Sequence, residues 1–106
     1  MQRETTPHGS TTGQAHRAEA LAAESHEMAH RAAVNAAAAS RASAEVHDSA
    51  AVMHEHLADI GAGNPEEHRR QADRHRHEAH VDRVEARYDE FLAERHDRRI
   101  RDGPEG

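Results

Sequence analysis

From Gln14 to Ile60 the chain contains no proline and no glycine, and alanine, the best helix former, is its commonest residue. A stretch of this kind can be little other than one long helix, roughly 70 Å in length at ~1.5 Å per residue. It ends at Gly61-Ala62-Gly63-Asn64-Pro65. Gly61 can take the left-handed conformation that closes a helix. Asn64 is a good N-cap, Pro65 suits the first helical position, and Glu66 and Glu67 suit the positive end of a new helix. That helix is expected over residues 65–101. Arg95, Arg98, Arg99 and Arg101 sit near its negative end, and Gly103-Pro104 stop it.

The expected organisation is therefore a disordered tail over residues 1–13, helix 1 over 14–60, a turn over 61–64, helix 2 over 65–101 and a second tail over 102–106. Thr5, Thr6, Pro7, Gly9 and Ser10 offer nothing to bury. Thr11 with Gln14 fits a capping box at the start of helix 1. A short link between long helices implies an antiparallel hairpin, so the fold class is all-α.

The remaining composition removes several functions. There is no Cys, hence no disulfide, no thiolate metal site and no Cys nucleophile. Asp and Glu number 20 against 14 basic residues, all of them Arg, for a net charge of -6, which argues against a broadly basic nucleic-acid surface. One Phe, one Tyr and no Trp give no stacking platform for single strands. No apolar run approaches the ~18 residues of a membrane span. No leader-like stretch opens the chain, so a cytoplasmic protein is the expectation.

Two stripes run along the helices. Larger apolar residues mark the first: Leu21, Met28, Val46, Met53, Leu57 and Ile60 in helix 1, and Val81, Val84, Tyr88, Phe91 and Leu92 in helix 2. Their heptad-like spacing makes this stripe the expected core. The second stripe holds alanine and histidine. Positions seven apart through His26 include His47, His54, His68, His75 and His96. The companion position gives His16, His30, Ala37, Ala44, Ala51, Ala58, Ala72, Ala79, Ala86 and Ala93. Eight of the twelve histidines fall on these two positions, where random placement gives about three or four. This stripe is expected to be a second packing face. A core so poor in large side chains argues for self-association, most simply a dimeric four-helix bundle or coiled coil.

Three motifs bear on chemistry. His26-Glu27-Met28-Ala29-His30 spells H-E-x-x-H, which on a helix places two imidazoles one turn apart. It lacks the downstream ligand and the sheet of a zinc protease. Glu27 and His30 form the E-x-x-H of di-iron bundles, but that pattern occurs once. The hairpin brings His96 near the level of His26 and His30, so the candidate metal ligands are His26, His30 and His96, a set suited to zinc, nickel or copper. The sequence thus reads as a small non-enzymatic structural or protein-interaction protein. It is expected to be a homo-oligomer, pH-sensitive through its histidines, with no catalytic residues, no cofactor and no nucleic-acid or membrane partner. The alternative is a histidine-based binder of zinc, nickel or copper.

Overall fold

A computed structural model describes residues 8–102, with side chains over 12–101. Two helices account for it: α1 (His8–Asp59) and α2 (Pro65–Asp102). They pack antiparallel as a rod of 86 × 27 × 13 Å with a radius of gyration of 24.7 Å. A globular chain of this length would have about 13 Å.

The turn follows the residues that predict it. Gly61 has φ 74°. The Ala62 amide donates to Leu57 O at 3.0 Å and the Gly61 amide to Ala58 O at 3.2 Å, the paired bonds of a Schellman motif. Asn64 Oδ1 then accepts from the amides of Glu66 and Glu67 at 2.9 and 3.2 Å. Two of the orphan donors at the start of α2 are satisfied in this way.

The helix α1 begins earlier than expected. Residues 8–13, assigned above to a disordered tail, are helical. The Thr11 capping box therefore falls inside the helix. Thr and Gly each lower helix propensity by no more than about 1 kcal/mol, too little to stop a helix that continues for about thirteen more turns. Residues 1–7 and 103–106 lie outside the described residues, and Asp102 extends α2 by one position past the expected end.

The larger correction concerns the core. The buried residues are Ala37, Ala44, Ala51 and Ala58 of α1, and Ala72, Ala79, Ala86 and Ala93 of α2, all at 0–6% exposure. The alanine–histidine stripe is the contact between the helices. The large apolar stripe faces outward: Leu21, Met28, Val46, Met53, Ile60, Val81, Val84, Tyr88 and Phe91 are 40–67% exposed. Leu57 and Leu92 are half-buried.

Register explains the exchange. Writing the heptad with the buried alanines at a, the a and d positions of α1 match those of α2 over the whole hairpin when one helix is reversed. The large apolar residues do not match. Val46, Met53, Leu57 and Ile60 fall opposite Arg76, Arg69, Pro65 and Ala62, so no large apolar pair can close across the hairpin there. Most of the outward residues hold positions c and f, the two farthest from the seam.

Candidate functional site: a histidine ladder along the helix seam

Each d position of the seam is half-buried. In α1 these are His26, Ala33, Ser40, His47 and His54; in α2 they are His68, His75, Asp82, Asp89 and His96. Reversal pairs them, and three rungs are histidine on histidine. The Nδ1 atoms of His54 and His68 are 3.0 Å apart, those of His47 and His75 2.9 Å, and those of His26 and His96 3.1 Å. From the first rung to the second, the partners move seven residues in opposite directions. Ring centroids within a rung are 5.1–5.4 Å apart. His54 also stacks on His75, at 5.7 Å and an interplanar angle of 11°.

The chemistry of a rung is constrained. One Nδ1–H donates to the bare Nδ1 of the other ring, so a rung holds one proton and one lone pair between its two nitrogens. Protons on both Nδ1 atoms would leave two donors facing each other without an acceptor. Alanine at the alternate layers allows this close approach, because interaxial distance follows the side chains at the contact.

The sequence-predicted metal ligands are partly brought together. His26 and His96 form a rung. His30 occupies an a position, and its Nδ1–H donates to the carbonyl of Ala93 at 2.9 Å. The two histidines of the H-E-x-x-H motif thus have separate partners across the seam, and Glu27 is exposed. The three-ligand cluster among the described residues lies elsewhere, at His47, His75 and Glu78. Glu78 Oε1 is 3.2 Å from His47 Nδ1 and 3.6 Å from His75 Nδ1. The two histidines stand out in the heptad pattern. Glu78, three residues past His75, required the true seam to be known.

Ion pairs flank the ladder with the same seven-residue step. Arg41 binds Glu90 in a two-pronged contact, both bonds 2.8 Å. Arg83 reaches Asp48 at 2.6 Å and Arg76 reaches Glu55 at 2.7 Å. The Arg83 hydrogen bond holds the Asp48 carboxyl below its usual range, and Arg41 does the same for Glu90. Glu67 is lowered by hydrogen bonds from Arg70 and Gln71.

Between the histidine rungs, Ser40 faces Asp82 and Ala33 faces Asp89. Asp82 Oδ2 is buried with no hydrogen-bond partner among the described residues. No family model matches this chain, and no curated protein or solved structure matches it either.

Proposed function

We propose that this protein is a non-enzymatic helical interaction module that associates laterally, first with a second copy of itself, through the large apolar residues on its outer faces. The observation that carries this reading is the inversion of the heptad. Alanines fill the seam, while Met28, Val46, Met53, Ile60, Val81, Val84, Tyr88 and Phe91 face water.

The magnitudes favour an occupant for those faces. Burying a methyl is worth about 0.8 kcal/mol, whereas burying a Val, Leu, Ile, Phe or Met side chain is worth about 1.5–3 kcal/mol. More hydrophobic free energy therefore lies on the outside of this hairpin than along its seam. Exposed apolar patches of this kind, rimmed by charged residues, mark interaction surfaces. The open groove beside the turn is lined by Glu55, Asp59, Arg69, Ala72 and Asp73, a charged wall facing solvent rather than an enclosed catalytic cleft. Among the described residues no helix is long and apolar enough to cross a membrane.

Light scattering at micromolar concentration tests the reading. The expected mass is at least twice 11.7 kDa. Val84→Glu combined with Phe91→Glu should give a monomer with its helicity retained, because neither residue touches the seam. A parent chain that is monomeric and fully helical at these concentrations would overturn self-association.

A further inference from the structure

We infer that His47, His75 and Glu78 form a binding site for one divalent transition-metal ion of the zinc class, which ties α1 to α2 part-way along the seam. The argument starts from the three ligand atoms. His47 Nδ1 and His75 Nδ1 are 2.9 Å apart, and Glu78 Oε1 is 3.2 and 3.6 Å from them. Ligands held at about 2.0–2.1 Å in a tetrahedron are about 3.3 Å from one another. The observed triangle brackets that edge length, so an ion fits after shifts of a few tenths of an ångström.

The protonation pattern points the same way. Three atoms with lone pairs converge here, and one of them belongs to a carboxylate. A neutral rung supplies a single Nδ1–H between them. A divalent cation can satisfy all three atoms together, once both imidazoles carry their proton on Nε2. Two imidazoles and one carboxylate form a set typical of zinc, leaving a fourth position for water. The side chains of His47 and His75 are 27% and 28% exposed, so an ion has a path in.

The surroundings fix the ligands in advance. His75 is stacked on His54. The Arg83–Asp48 and Arg76–Glu55 pairs hold the two helices together on either side of this rung. Glu78 follows His75 by three residues and so lies on the same helical face. The other two rungs have no such carboxylate among the described residues, which distinguishes this one as the site.

Because the ligands come from both helices, binding should stabilise the hairpin. The probes are Zn²⁺ and Co²⁺ alone, added to the full chain near neutral pH. Calorimetry should find one site per chain at least ten-fold tighter than any other. Co²⁺ should show the intense visible absorption of a tetrahedral ion. His47→Ala and His75→Ala should each weaken the site ten-fold or more and abolish that absorption. Glu78→Gln leaves the histidine rung intact, so it serves as the decisive variant if the alanine substitutions lower helicity. It should weaken binding about ten-fold and reduce the rise in melting temperature that a given Zn²⁺ concentration produces. His26→Ala, on a different rung, should leave affinity within two-fold. Equal affinity and stoichiometry in the parent and Glu78→Gln would overturn the site. So would an equal loss in His26→Ala, which would mean scattered binding to exposed imidazoles.

Discussion

At the scale of single residues, the turn concentrates the local information. Gly61 has a left-handed backbone that costs an alanine about 1–2 kcal/mol, and its amide belongs to the Schellman pair. Gly61→Ala should therefore destabilise the hairpin by about 1 kcal/mol, read as a lower urea midpoint with an unchanged slope. Asn64→Ala removes the acceptor for two amides and should cost a similar ~1 kcal/mol. If neither substitution moves the midpoint, the turn is not what sets the stability of the fold. The carboxylates Asp48, Glu67 and Glu90 make a second residue-scale statement. Each is held below its usual range in the folded chain by arginine hydrogen bonds. A lowered carboxyl supports the fold above the unfolded value of about 4 and loses that support as pH falls further. Melting temperature should therefore drop below about pH 4, and Arg83→Gln should make the drop smaller. These groups lie at the surface, so added salt should reduce the effect as well.

At the scale of the elements, register is what the seam encodes. A slip of one heptad leaves at most one of the three histidine rungs. It also turns one of the three ion pairs into a like-charged one, Arg41 against Arg83 in one direction and Asp48 against Glu90 in the other, so the histidine rungs select the register more strongly than the ion pairs do. Both patterns are written in the sequence, as are the existence of the two helices, the Gly61 stop and the Asn64 cap. What the sequence hid was which stripe closes the hairpin. Ranking the stripes by hydrophobicity selects Val46, Met53, Tyr88 and Phe91, because burial of large side chains dominates most cores. The deciding property was instead the match between helices. Alanine layers coincide along the reversed seam, and the large side chains do not. Asp82 tests the account of the seam. Its Oδ2 is buried without a partner among the described residues, a cost of roughly 1–3 kcal/mol for such a group. Asp82→Ala extends the alanine pattern and should raise the melting temperature. A lower melting temperature would show that Asp82 is satisfied in solution and that the rung it shares with Ser40 is a working contact.

At the scale of the whole molecule, the placement of the outward residues sets how two hairpins can meet. In α1 the stripe Val46, Met53, Leu57 and Ile60 lies toward the turn. In α2 the stripe Val81, Val84, Tyr88 and Phe91 lies farther along the rod, level with about residues 31–41 of α1. Within one chain the two stripes sit on opposite outer edges and at different levels. A second copy laid alongside in the same orientation brings its α2 stripe to the α1 stripe of the first, a head-to-tail contact that leaves one stripe of each kind free at the outer sides. The two stripe centres are about 18–20 residues apart along the axis, so this arrangement shifts the copies by about 30 Å at ~1.5 Å per residue. Small-angle scattering should then give a dimer of about 115 Å, compared with the 86 Å of one hairpin. End-to-end association would instead approach twice that single length, and symmetric contact through α2 alone would add almost nothing to it. Met53→Glu reaches only the α1 stripe and Phe91→Glu only the α2 stripe. In the head-to-tail pair each should weaken association by itself, and Met53→Glu mixed with Phe91→Glu should pair again, the first through its α2 stripe and the second through its α1 stripe. A dimer near 86 Å that is insensitive to Met53→Glu would assign the interface to α2 alone.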